Sequence, residues 1–255
     1  MAEPRYIMNY PVIFFFCSLI VLWFSAQCGF YLRRRHPMKD DLREDFGLVE
    51  GATLTLLALI IGFSFSMSTT RYDLRKNYEE AEANAIGTEY VRAGLLPGSD
   101  AAAVRAQLRK YTELRIAFYR TRDHEELMQI DADTAKLQSE MWSAVESPAK
   151  AQPTPLMALT AAGMNDVLNS QGYTQAAWWN RIPLSAWALL IVIAICCNVL
   201  VGYGARSAKG VMLFILPLVV SISFLLIADI DSPRRGFIHV VPQNLVSLLQ
   251  SLPPQ

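Results

Sequence analysis

Ionisable side chains are missing from four stretches of this chain. Residues 6–32, 51–70, 184–203 and 210–228 hold no Asp, Glu, Lys, Arg or His. Each is close to the roughly 20 residues needed to cross the hydrocarbon core of a bilayer. A soluble domain does not concentrate its apolar residues in such runs. The absence of charge inside them also argues against an ion-coupled transporter, which often needs a titratable group at membrane depth. Histidine is scarce: His36, His124 and His239 are far apart, which argues against a His-based metal centre. Cys17, Cys28, Cys196 and Cys197 all fall in the apolar runs without C-x-x-C spacing. They read as small apolar core residues and say nothing of redox compartment. There is no P-loop, no HExxH and no GxSxG, so no enzyme is expected. The formal net charge is zero, which gives no reason to expect nucleic acid as a partner. No strand-like alternation occurs.

What is present is hydrophobic sequence, 53% of residues with a mean hydropathy of +0.24. The expected fold is all-α, an integral membrane protein with four transmembrane helices, two plus two. A helical extramembrane domain is inserted between the second and third. The expected divisions are 1–70 for the first two spans, 71–181 for the helical domain, 182–228 for the third and fourth spans, and 229–255 for a tail with a short amphipathic helix. The first run has Arg5 before it and resembles a secretory signal. Its apolar core is too long, however, and Gln27 stands where a cleavage site wants a small residue, so it reads as a span. Arg33, Arg34 and Arg35 behind it read as an interface anchor or, more sharply, as a contact for anionic lipid. Asp40, Asp41, Glu44 and Asp45 weaken the second reading.

The chain is organised around residues 51–90. Here GATLTLLALIIGFSFSMSTT passes without proline into RYDLRKNYEEAEANAIGTEY. This reads as one helix, half in the membrane and half out, continuing to about residue 95. In the membrane half Ala58, Gly62, Ser66 and Thr70 recur every fourth residue, a small-residue seam for helix packing. On a neighbouring face lie Thr53, Leu57, Ile61, Ser64 and Ser68, polar at the ends and apolar in the middle, with Phe63 and Phe65 nearby. This face has two readings: ordinary bundle packing with serines bonded to their own helix, or a pore lining gated by an apolar constriction. Glu50, Arg71, Arg75, Glu79 and Glu82 would then be the charges at the pore mouths. Glu79, Glu82 and Glu89 share a face, but a di-metal helix site would want Glu-x-x-His pairs, which are absent. The glutamates read as a solvated face or as ion pairs with Arg75 and Lys76. No metal and no cofactor is expected.

Beyond this helix, LLPG at 95–98 predicts a stop, with Ser99 or Asp100 capping a helix over 100–122. Apolar spacing predicts a helix over 131–146 and a Pro/Ala linker over 147–153. Thr154 and Pro155 then read as N-cap and first position of another helix, with an interruption possible at Gly172. Trp178, Trp179 and Arg181 read as an interface. Pro217 predicts a kink in the fourth span, 204–209 is a turn, and Asp229 and Asp231 end the membrane section with Arg234 and Arg235 as candidate partners. The stripe Leu245, Val246, Leu248, Leu249 and Leu252 either docks on the helical domain or lies in the membrane surface. Arginine and lysine close to the span ends number seven on each side, Arg5, Arg206 and Lys209 among them, so charge does not orient the chain.

The runs LIIGFSFSMSTTRYDLRKNYEEAEANAIGTEYVRAGLLP and ADIDSPRRGFIHVVPQNL resemble the signatures of the bestrophin-like domain proteins of bacterial membranes. The segment EANAIGTEYVRAGLLP carries most of the likeness. The resemblance implies kinship with bestrophins, homopentameric ion channels, mostly anion-conducting, lined by the second span with a cytosolic helical domain. It implies an inner-membrane, multi-pass homo-oligomer whose partners are the lipid bilayer and small inorganic ions. No acidic run follows the last span to match the calcium clasp of animal bestrophins, so no calcium gating is expected. The expected function is thus an oligomeric ion channel, the ion an anion. The alternative is a non-conducting membrane scaffold or sensor whose helical domain binds a partner.

Overall fold

A computed structural model describes residues 7–205 and 210–253 of the chain; Arg5, Arg206, Lys209 and most of the expected turn at 204–209 lie outside the described residues. Every regular element among the described residues is helical. In order these are α1 (Pro11–Arg35), α2 (Arg43–Arg92), α3 (Gly98–Arg120), α4 (His124–Ala151), α5 (Pro155–Trp179), α6 (Leu184–Gly204), α7 (Gly210–Asp231) and α8 (Gln243–Ser251). Four segments are long and apolar enough to cross a membrane: Pro11–Arg35, Arg43–Leu95, Pro155–Gly204 and Val211–Asp231. The protein is an all-α membrane protein. It divides into two compact units, Met1–Arg71 with Arg181–His239, and Tyr72–Asn180 with Val240–Gln255. The helix α2 contributes to both.

In the first unit α1, α6 and α7 pack with the start of α2 around Phe14, Leu22, Leu57, Trp187, Leu190 and Phe224. Phe14 meets Trp187 edge-on at 5.2 Å and stacks on Phe224 at 5.9 Å. Lipid is as apolar as these side chains, so burial from water does not hold the helices together; close packing must. Two glycines permit it. A Cβ at Gly29 would overlap the Val199 carbonyl oxygen of α6, and one at Gly202 would overlap the Ala26 carbonyl oxygen of α1. Arg33 donates from Nη1 to the Tyr203 and Gly204 carbonyl oxygens at 2.9 and 2.8 Å, capping the orphan end of α6. One arginine of the expected anchor therefore has a job inside the fold. Cys17, Cys28 and Cys196 are exposed within the chain, and only Cys197 is buried, so three of the four are not core residues.

The second unit has a water-type core of Ile86, Val104, Leu108, Met141, Met164 and Trp178, where burying each large side chain is worth about 1.5–3 kcal/mol. Trp178 is therefore a core residue packed on Phe118 and Tyr119, not an interface marker; Trp179 is the exposed one. Several boundaries differ from expectation. α4 starts at His124, because Asp123 accepts from the Glu125 and Glu126 amides at 2.7 and 3.0 Å. It runs through Pro148 to Ala151, where a linker was expected. α3 has Pro97 as N-cap without a side-chain cap bond, and α5 passes Gly172 unbroken. Thr154 does cap α5, accepting from the Met157 amide at 3.3 Å. The α8 helix belongs to this unit, with Leu245 fully buried in its core.

Candidate functional site

The membrane half of α2 has an inward and an outward side, and the face expected either to pack in the bundle or to line a pore is the inward one. Leu57, Ser64 and Ser68 are buried in the first unit, and Thr53 and Ile61 are half-buried. Cys197 Sγ donates to the Thr53 carbonyl oxygen at 3.4 Å, which places this face against α6. The hydroxyls serve their own helix: Thr53 Oγ1 donates to the Val49 carbonyl at 2.7 Å and Ser68 Oγ to that of Ser64 at 3.0 Å. The packing-seam residues Ala58, Gly62, Ser66 and Thr70 are all exposed, as are Phe63 at 62% and Phe65 at 43%. The small seam therefore has no partner among the described residues. Leu59 is exposed at 52%, and Thr55 one turn before it is exposed as well. The line Thr55, Leu59, Phe63 thus runs along the outward side at helical spacing.

Of the expected mouth charges, Arg71, Arg75, Glu79 and Glu82 have partners within the chain. Glu50 is half-buried, and a Cβ added at Gly204 would sit 3.1 Å from its Oε2. Arg71 Nη1 lies 4.0 Å from Asp231 Oδ1. Arg75, Glu79 and Glu82 are buried in the second unit rather than solvated. Glu82 Oε1 accepts from Arg115 Nε at 2.5 Å and its Oε2 from Thr174 Oγ1 at 3.1 Å. Arg115 also lies 4.3 Å over the Phe118 ring. Burial opposes the charge on Arg115, but the Glu82 carboxylate outweighs it and holds the guanidinium protonated. Burial and the same carboxylate push the Tyr119 hydroxyl upward.

Glu79 accepts from the Asn244 side chain at 2.6 Å and from the Leu245 amide at 2.9 Å. Pro242, at the N-cap of α8, supplies no side-chain bond, so Glu79 of α2 does that work from elsewhere in the chain. Glu89 is fully buried against α5, and neither carboxylate oxygen has a hydrogen-bond partner among the described residues. Desolvation raises its pKa to about 8, with Arg92 lowering and Asp166 raising it. A Cβ at Gly163 would overlap this carboxylate.

Sequence reading missed Arg115, Gly163 and the Gly29–Gly202 contact. A lone glycine inside each apolar run was the available signal for the last.

A family model described as the bestrophin-like domain matches residues 18–245. No curated protein sequence matches the chain. Among solved structures, a bacterial bestrophin homolog from Klebsiella pneumoniae is similar with a TM-score of 0.63 at 14% identity, over 95% of this chain and 99% of that one. A leucine-to-threonine variant of that homolog gives 0.63 at 13% identity, over 92% and 98%. A chain solved as a membrane protein variant gives 0.64 at 13%, over 92% and 99%. At these identities the likeness is one of fold. The family match spans most of the chain and includes the whole of α2 with its seam and its buried glutamates, and this protein belongs to the bestrophin-like domain family.

Proposed function

We propose that the chain is an oligomeric ion channel in which copies of α2 surround a symmetric pore. One observation carries this: only 6% of the apolar window of α2 is buried within the chain, against 28%, 28% and 39% for the other three spans. A helix so uncovered needs lipid or another copy beside it. The exposed seam Ala58, Gly62, Ser66 and Thr70 favours a copy, since small residues let helices approach closely. The line Thr55, Leu59, Phe63 then faces the lumen, with Phe63 as the apolar constriction. Leu57, Ser64 and Ser68 pack within the protomer instead of lining the pore, and Phe65, two residues from Phe63, points to the other side of the helix.

The permeant ion is proposed to be an anion. Glu79 and Glu82 are held by α8 and by Arg115, so they present no acidic ring. Family membership supports the channel assignment, a pentamer, a two-plus-two arrangement of spans and an inner-membrane location. Current across a planar bilayer under a salt gradient tests the proposal. A unitary conductance reversing at the anion potential, and increased by Phe63→Ala but not by Phe65→Ala, is expected. A folded, oligomeric protein without current would return the weight to a scaffold or sensor.

A further inference from the structure

We propose that Phe237 and Ile238 form a fixed loop that returns to the bilayer beside α7 and occupies the boundary between lipid headgroups and acyl chains. The chain leaves α7 at Asp231. It then turns back. Asp229 accepts from the Phe237 amide at 2.7 Å and from the Ile238 amide at 2.8 Å. Asp229 directly follows the charge-free run that ends at Ala228. It lies about 3 Å back along the helix from Asp231. The backbone that has just left the span is thus tied again to the level at which the hydrocarbon ends. Its side chains there are uncovered: Phe237 is exposed at 77% and Ile238 at 39%.

The loop is fastened on two sides. A Cβ at Gly236 would overlap the Asp229 carbonyl oxygen, so only glycine lets the chain come this close. The Arg235 guanidinium lies 4.5 Å over the Tyr10 ring, which joins the loop to the start of α1. A loop in water needs no such ties, because its amides can bond to solvent. Backbone at the edge of hydrocarbon has no solvent to turn to, and the protein itself must satisfy its N–H and C=O groups. Phe237 meets that demand at both ends. Its N–H is taken by the buried Asp229 carboxylate. Its carbonyl oxygen accepts from His239 Nδ1 at 3.1 Å, with the ring in the Nδ1-protonated tautomer.

The surroundings identify lipid as the occupant. A phenylalanine held out from the surface costs free energy in water, and lipid removes that cost. Arg235 and Tyr10, exposed beside the loop, each join an apolar stem or ring to a polar end, as side chains at a membrane–water boundary do. Ile13 and Ile20 follow Tyr10 on α1 at helical spacing and are exposed as well. An uncharged apolar surface therefore runs from the loop into the span. The inference rests on the membrane-spanning reading of α1 and α7 and is independent of conduction.

The test is site-specific fluorine NMR. A trifluoromethyl-phenylalanine replaces Phe237 in the full-length protein, held in phosphatidylcholine nanodiscs. Line broadening is measured with a phosphatidylcholine spin-labelled near the headgroup end of its acyl chain, and separately with a water-soluble gadolinium chelate. The same residue at Lys136, an exposed position of the other unit, is the water reference. The spin-labelled lipid is expected to broaden the signal at position 237. The chelate should broaden it about tenfold less than at position 136, the preference that burial of an aromatic side chain sets. Equal broadening by the chelate at both positions would overturn the proposal, because the loop then stands in water. A signal at position 237 that neither reagent broadens would overturn lipid as the occupant and put a second copy of the chain there. Asp229→Ala frees both amides and should raise broadening by the chelate about fivefold. A folded Asp229→Ala protein with unchanged broadening would overturn the part given to Asp229. Because depth is read and not current, failure here leaves the channel proposal standing.

Discussion

Replacing Glu89 by glutamine should make the protein more stable in alkali and remove part of its pH dependence. Glu89 has two orphaned oxygens and no exposure. Folding raises its pKa from 4.5 to about 8. The folded state therefore holds a proton that the unfolded state releases between those two values. Stability contributed by the neutral acid is fully present below pH 4.5, falls as pH rises, and is gone above about 8. The slope in that window is about 1.4 kcal/mol per pH unit, which gives a ceiling of about 3 kcal/mol between about pH 5.5 and 9. Arg92 beside the carboxylate and local water entry reduce it, so about 1–2 kcal/mol is the expected loss. The groups facing Glu89 are Arg92 on its own helix and Asp166 on α5. Asp166→Asn should shift the midpoint of the loss to lower pH. The assay is amide hydrogen exchange of α5 in detergent-solubilised protein across this range, because exchange reads local opening without requiring reversible global unfolding. Wild-type α5 should exchange increasingly faster than intrinsic chemistry predicts as pH rises, and Glu89→Gln should not. Parallel profiles for the two proteins would refute the argument.

Three other outcomes follow from the packing. Gly202→Ala or Gly29→Ala forces a Cβ into a backbone carbonyl across the α1–α6 contact, and either should abolish the monodisperse peak in size-exclusion chromatography. Arg115→Met leaves Glu82 buried without its cation and should cost about 3–5 kcal/mol; the double change with Glu82→Gln should recover part of that, read by thermal unfolding. Thr154→Ala removes the cap of α5 and should cost about 1 kcal/mol in the same measurement.

How much of this was legible in the sequence depended on the solvent each residue meets. The spans were readable from missing charge, and the start of α5 from Thr154–Pro155, because both signals are local. The start of α4 was missed, since HEELMQID lacks apolar periodicity, although Asp123 with Glu125 and Glu126 carries a capping signature. Pro148 stands in the last turn of α4, where a helix tolerates what it rejects at its centre. The faces of α2 could not be told apart. In lipid an outward side chain is as apolar as an inward one, so hydrophobicity stops marking the interior. The glutamate stripe misled for the opposite reason. Its partners, Arg115 and the start of α8, lie far along the chain, and nothing in the pattern of α2 announces them.

The division of the chain into interleaved units has a consequence for biosynthesis. Residues from Val240 onward complete a unit that begins at Tyr72, and Arg181–His239 complete one that begins before it. In a nascent chain the first unit thus stays open until Arg181–His239 has been made, and the second until the residues from Val240 follow. Glu79 waits through that interval for the Leu245 amide it accepts. Shortening or fusing the end of the chain should therefore show as a defect of α2 and its neighbours, far from the alteration, and the position of a purification tag is a structural choice.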